Sequence, residues 1–408
     1  MTTEMLDKQK TKLEESEVSL ASVKAADDAY VIHTYGRLPV CFVRGEGLRL
    51  WDDTGKEYLD FLGGIAVNAL GHCHPRVVKA IQDQAATLIH TSNLYYTVPQ
   101  ARLAKKMIEI SGFDRVFFCN SGAEANEAAL KIARKAGKAY STDKIGIITA
   151  THSFHGRTMG TVTATAQAKY QDPFRPLVPG FSYVERNDSD ALRLMVNDNT
   201  CAILLEPIQG ECGIHALTDE FLQTARELAD RYKALLIFDE VQCGMGRTGD
   251  WWAFQATGVV PDLFTSAKAL GSGLPIGACV ARGRAAETLV PGDHGSTFAA
   301  NPLATTAAYA TICAIQDEGL LENASEMGRY FKSRLMEAAG PRVTEVRGRG
   351  LMLGVQLAGT NARSVMLNAL EKGLIVNAIG DSTIRLLPAY IVTRAQIDKA
   401  VEILVSVM

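Results

Sequence analysis

The chain reads as an α/β protein with a mostly parallel sheet, helices on both faces, and a smaller α+β unit attached. Three observations predict this. Between about residues 76 and 300, short apolar runs alternate with helical patterns, the rhythm of strand–helix crossovers. Those runs read as strands buried on both faces. The chain also has 408 residues and 47% hydrophobic content, enough for one large core or two medium ones.

The elements follow in order. Residues 1–29 are polar and charged ("LDKQKTKLEESE") and read as a weakly ordered or short helical arm. Residues 38–61 read as a meander, with a hairpin turn at Asp53-Thr54-Gly55. Helical patterns cover 76–90, 98–111, 122–137 and 219–233. Buried strands are expected at 115–120, 144–150, 201–206, 234–240, 262–267 and 276–281. After Asn301 one long Ala-rich helix is expected to run to about 338. It leads into strand-like segments, a helix at 362–372 and a last helix from about 394. There, Thr393 and Gln396 have capping-box spacing. Residues 30–75 and 301–408 are expected to share one small domain beside a large domain of 76–300.

Composition excludes several classes. The net charge of −3 offers no basic field for nucleic acid. No apolar run reaches the length of a membrane span and no signal peptide opens the chain. Eight scattered cysteines without a CxxC pair read as reduced, buried thiols. A soluble, cytoplasmic protein is expected. His72, Cys73 and His74 adjoin, as His152 and His155 nearly do, but no further ligands at metal spacing accompany them. No metal site is expected.

In open parallel sheets, ligands sit at the carboxyl ends of strands. After the first strand, Ser121 and Glu124 have the S-x-x-E spacing of a helix start, and Gly122 and Ala123 leave N–H groups open to a phosphate. Taken alone this is equally a plain capping box. After the second strand, Phe154 could stack on a flat ligand and Arg157 could grip a carboxylate. They could equally be a core aromatic and a solvated cation. Glu206 and Glu211 follow the next strand. Asp239 and Glu240 end a very apolar one, where a carboxylate needs a cationic partner such as a protonated ring nitrogen. Gly244, Gly246 and Gly249 spell GxGxxG, but no helix pattern follows and Asp262 comes too early for a dinucleotide fold. Lys268 leaves a buried strand into a glycine-rich turn. It is either a surface lysine or a desolvated amine of lowered pKa.

Together, a phosphate-binding helix start, a stacking aromatic, a buried carboxylate and a lysine at successive strand ends form the set that pyridoxal phosphate requires. The lysine holds the aldehyde, and the carboxylate keeps the ring nitrogen protonated.

The segments "NSGAEANEAALKIAR", "FHGRT", "EPIQGE", "FDEVQCGMGRTG", "TSAKALG" and "HGSTFAANPLA" carry a resemblance to the class III aminotransferases of fold type I, from about residue 30 to the end. "GIAVNALGHCHP" and "HTSNLYY" resemble the members that process acetylornithine. The resemblance implies a fold type I transferase with a seven-stranded-type sheet and a homodimer with shared active sites. It implies transfer of the δ-amino group of N2-acetylornithine to 2-oxoglutarate, giving glutamate. Succinylornithine, succinyl-diaminopimelate, ornithine and 4-aminobutyrate remain open as donors. Implied contacts to pyridoxal 5'-phosphate come from Ser121, Gly122, Ala123, Phe154, Asp239, Glu240, Val241, Gln242, Lys268 and Thr297. Lys268 and Asp239 carry the catalysis. Arg157, Glu211, Ser296 and Arg385 are implied for substrate, Glu211 neutralising Arg385 when the amine donor is bound. The family usually has glycines where Ala299 and Ala300 stand, and Cys212 replaces a small residue. Ornithine aminotransferases carry an aromatic in place of Ile65.

Overall fold

The computed structural model describes residues 19–359 and 361–408. The charged stretch before residue 19 lies outside the described residues. The end of the expected arm is a helix, Leu20–Tyr30, capped by Ser19.

An antiparallel meander opens the fold: β1 (Phe42–Glu46), β2 (Arg49–Asp52) and β3 (Glu57–Asp60). Its β2–β3 turn forms as the sequence predicts, with Gly55 at φ 86°. The large sheet contains β4 (Arg115–Cys119), β5 (Gly146–Ala150), β6 (Phe181–Val184) and β7 (Thr200–Leu205). A short hairpin of β8 (Ile208–Gln209) and β9 (His215–Ala216) interrupts it. The sheet resumes with β10 (Leu235–Asp239), β11 (Leu263–Ser266) and β12 (Gly277–Ala281). Its order is β4-β12-β11-β10-β7-β5-β6. Only β12 runs antiparallel to its neighbours β11 and β4.

The seventh strand, β6, has no counterpart among the sequence-predicted ones. It has four residues, sits at the sheet edge and follows a proline-rich stretch, so its apolar signal is short. β7, β10, β11 and β12 are buried at every residue, which explains their unbroken apolar runs.

The Ala-rich segment after Asn301 is two helices, Pro302–Asp317 and Leu320–Ala339, not one. Gly319 divides them with φ 65°, a left-handed conformation that ends a right-handed helix. The C-terminal strands are β13 (Val343–Arg349), β14 (Met352–Leu357), β15 (Leu374–Ile375), β16 (Asn377–Ile379) and β17 (Thr383–Leu386). A sheet of order β13-β14-β17-β16 forms, while β15 pairs in parallel with β3 of the opening meander. The final helix, Arg394–Val405, carries the expected capping box of Thr393 and Gln396.

The GxGxxG turn opens no α-helix. Gly246 and Gly249 take positive φ values of 96° and 95°, and Arg247 between them is fully buried. Its guanidinium lies 4.5 Å from the Tyr390 ring centre. The glycines are packing and turn residues. Of the eight cysteines, Cys119, Cys201, Cys243 and Cys279 are buried, whereas Cys73 is exposed and three are half-buried. Among the described residues, no helix is long and apolar enough to cross a membrane, and no His/Cys/Asp/Glu group could hold a metal. His72 instead meets Asp60 at 2.8 Å, and His74 meets Glu318 at 3.2 Å.

Candidate active site

The carboxyl ends of β4, β5, β7, β10 and β11 surround a cavity of about 450 Å³. Ser121, Gly122, Ala123, Phe154, Arg157, Asp239, Val241, Gln242 and Lys268 line it. They come from the carboxyl end of a strand (Asp239), from the segment just after one, or from the helix start that follows it (Gly122, Ala123), where the backbone leaves the sheet and side chains meet open space.

The helix Gly122–Lys138 starts at the cavity. Ser121 Oγ accepts from Glu124 N at 3.2 Å, and Glu124 Oε2 accepts from Asn120 N at 2.8 Å. A Cβ on Gly122 would lie 2.8 Å from Val241 Cγ1. Only glycine lets this helix start press against Val241 and keep its N–H groups open to an anion.

Asp239 is buried yet fully engaged. Its Oδ2 accepts from Asn126 Nδ2 and His155 Nδ1, both at 2.8 Å, and its Oδ1 from Val241 N at 3.0 Å. A carboxylate oxygen can only accept, so His155 Nδ1 carries the proton in that contact. Asn126 is itself fixed, its Oδ1 accepting from Thr265 Oγ1 at 2.8 Å. His155 Nε2 is buried without a partner among the described residues. Asn126 and His155 are the supports the sequence reading missed. Asn126 had a signal: it is polar amid Ala125, Ala128 and Ala129 on a helix, and a buried amide must be paired.

Lys268 follows β11 with φ 46° and opens a short 3-10 turn, Lys268–Leu270. No hydrogen bond or ion pair engages its amine among the described residues. Burial pushes the amine below its ordinary pKa; Glu211 opposes that shift and Arg385 adds to it. A lowered pKa leaves more of the amine neutral and nucleophilic.

Glu211 lies in the β8–β9 turn. Its Oε1 is 2.5 Å from Arg385 Nη1 and accepts from Gln242 Nε2 at 3.0 Å. Arg385, buried on β17, also donates to Asn377 Oδ1 at 2.9 Å through Nη2. Burial pushes the Glu211 carboxyl up, but the charges of Arg385 and Lys268 outweigh it and hold the pKa below the ordinary range. Glu206 also lines the cavity. Burial and then the Asp239 charge push it well above the ordinary carboxylate range.

Five predicted residues are not among those lining the cavity: Glu211 and Arg385, which adjoin it through Gln242, and three that stand apart. Glu240 faces away from the cavity and accepts from Ala253 N and Phe254 N, both at 2.9 Å. Burial pushes its carboxyl up to about 7. It pins the following loop, because adjacent residues at a strand end point to opposite sides. Ser296 Oγ accepts from Asn120 Nδ2 at 2.8 Å, behind the helix start. Thr297 is exposed and outside the cavity lining. Beyond it, Ala300 takes φ 54°, a left-handed conformation that costs a non-glycine residue roughly 1 kcal/mol.

The model of the family described as aminotransferase class-III matches residues 30–408. The chain belongs to the class-III aminotransferases. Acetylornithine aminotransferase of Methanocaldococcus jannaschii is 50% identical over 378 residues, 92% of this chain and 95% of that one. Acetylornithine aminotransferase of Caldanaerobacter subterraneus subsp. tengcongensis is 49% identical, covering 93% and 97%. Among solved structures, the ornithine aminotransferase of Toxoplasma gondii ME49 superposes with a TM-score of 0.92 at 33% identity, covering 97% and 96%. The acetylornithine aminotransferase of Elizabethkingia anophelis gives 0.87 at 35%, covering 96% and 99%.

Class-III aminotransferases depend on pyridoxal 5'-phosphate. The cavity of this class-III aminotransferase fits that group. It offers an amine at Lys268 without a partner among the described residues, an open helix N-terminus at Gly122, a fixed buried carboxylate at Asp239, and apolar walls at Phe154 and Val241.

Proposed function

We propose that this aminotransferase moves the δ-amino group of N2-acetylornithine to 2-oxoglutarate, in two half-reactions that share one cavity. The observation that carries this reading is the Glu211–Arg385 pair, 2.5 Å apart, beside the Lys268 amine. The curated relatives of similar length named as acetylornithine aminotransferases support the choice of donor.

When bound, pyridoxal phosphate supplies an aldehyde that captures amines and a ring that accepts the electrons of a carbanion. Lys268 would hold that aldehyde through Nζ. Once released, Nζ would take the proton from the amine-bearing carbon of the donor. Asp239 would pair with the ring nitrogen, its position fixed by Asn126 and His155. Gly122 and Ala123 would donate N–H groups to the phosphate, with Ser121 capping the same helix. Phe154 and Val241 would pack on opposite ring faces, and Gln242 would contact the ring hydroxyl.

Arg157 lies 4.0 Å from the Tyr170 ring centre and has no ion-pair partner among the described residues. It would take the donor's α-carboxylate. With that donor bound, Glu211 would neutralise Arg385, since a buried bare charge is costly. With 2-oxoglutarate bound, Glu211 would swing aside and Arg385 would take the α-carboxylate in a two-bond grip. Ser296 and Thr297 belong to a turn that we place against a neighbouring subunit, with Thr297 reaching that subunit's phosphate site. The working form is then a cytoplasmic homodimer. We divide each subunit into a large domain of 76–300 and a small one of 30–75 with 301–408.

The test is spectroscopic. N2-acetylornithine alone should shift the visible absorption of the cofactor-loaded protein toward the near-ultraviolet, and 2-oxoglutarate should restore it. A cofactor band that acetylornithine leaves unchanged would overturn the donor.

A further inference from the structure

We propose that Glu206 is a positioning residue that straps the aromatic wall of the cavity to the hairpin carrying Glu211. Its Oε1 accepts from Phe154 N at 2.8 Å and its Oε2 from Gly210 N at 3.3 Å. One buried carboxyl thus holds two segments that are 56 residues apart in sequence. Burial and the Asp239 charge favour its neutral form.

Gly210 is the joint. Its N–H goes to Glu206, and its carbonyl oxygen is 3.5 Å from Arg385 Nη1. A Cβ there would lie 2.2 Å from Gln242 Oε1, so the backbone presses directly on the amide that also holds Glu211. Fixing Gly210 therefore fixes the residue next to Glu211 and biases the Glu211–Arg385 pair toward its closed form. This inference rests on the proposed movement of Glu211 between half-reactions.

Glu206→Gln tests it with little change of shape. An amide offers one acceptor oxygen and one NH₂ donor. The oxygen keeps the shorter bond to Phe154, and the NH₂ then faces Gly210 N–H and releases it. The loosened hairpin should free Arg385 for dicarboxylates. In the cofactor-loaded enzyme, kcat/KM for acetylornithine relative to glutamate should fall about fivefold, the worth of one net hydrogen bond. Equal loss with both donors, or a ratio that rises, would overturn the strap. If the Gln variant does not retain cofactor, Glu206→Asp, whose shorter stem cannot span both N–H groups, must move the ratio the same way. If wild-type enzyme does not react with acetylornithine, the donor assignment fails. The strap is then judged on glutamate alone, whose KM must still fall about fivefold in the variant.

Discussion

At the scale of single residues, the cavity is a set of charges held in fixed relation. Lys268 lacks a partner among the described residues, while Asp239 uses both oxygens on protein donors. Lys268→Ala should retain the fold and lose turnover at least about a thousandfold, because both the anchor and the proton carrier are gone. Near-normal steady-state turnover would refute the assignment. Arg385→Ala should raise KM for 2-oxoglutarate at least tenfold and disturb the acetylornithine half-reaction less; equal losses in single-turnover assays of the two halves would sink the exchange model. The Glu211–Arg385 pair also has a pH signature. The pKa of Glu211 is lowered in the fold, so its contribution to stability is complete above the ordinary carboxylate range. That contribution is lost as pH falls through the lowered folded value. Glu211→Gln should cost about 1–3 kcal/mol at neutral pH. In thermal melts its gap to wild type should narrow as pH drops below about 4.5. A gap constant with pH would mean that the pair is not ionised. The charged residues at strand ends were legible in the sequence because a carboxylate or amine is anomalous there. His155 was not, because its role depends on a contact between distant segments, and Asn126, polar amid alanines, signalled only a buried amide in need of a partner and not which one.

At the scale of elements, glycines separate two kinds of constraint. Gly319 breaks the Ala-rich segment with φ 65°, yet a Cβ there meets only Glu322 Oε2 at 3.8 Å. Gly319→Ala should therefore cost about 1 kcal/mol in denaturant unfolding, from backbone strain alone, and leave activity unchanged. Gly210 is the reverse case. Its φ is not in the left-handed region, but an added methyl would collide with the Gln242 amide. Gly210→Ala should displace the Gln242 amide that holds Glu211 and so shift the ratio of kcat/KM for acetylornithine to that for glutamate downward, as Glu206→Gln does; an unchanged ratio would contradict the packing. Periodicity marked the expected helices and buried strands to within two residues, except the end of the first long helix, which stops at Thr87 rather than 90. It missed the break at Gly319, since alanine-rich helical spacing continues on both sides of the glycine. It missed β6, since a four-residue edge strand buries only Val184 completely. It grouped Glu240 with Asp239, since adjacent acids at a strand end look alike in sequence although their side chains face opposite ways.

At the scale of the whole molecule, the remaining question is whether one subunit holds a complete site. Thr297 is exposed and outside its own chain's cavity. Nearby, Phe298 is 64% exposed, and Leu94 and Tyr95 are 84% and 68% exposed. Large apolar side chains left in water on neighbouring turns fit a covered surface better than a free one. A site shared across a twofold axis makes a prediction that a self-contained site does not. Lys268→Ala and Thr297→Asp, each purified alone, should be nearly inactive, the second because its new charge repels phosphate. In a hybrid of the two, one cavity would receive both defects. The other would have an intact Lys268 from one subunit and an intact Thr297 from the other. Co-expressed, doubly tagged and purified hybrids should then recover about half of wild-type activity. If Thr297 serves its own subunit instead, each cavity of the hybrid keeps one defect and no activity returns. Recovered activity would place the phosphate site across the interface; its absence, with both variants folded and dimeric, would confine the site to one chain.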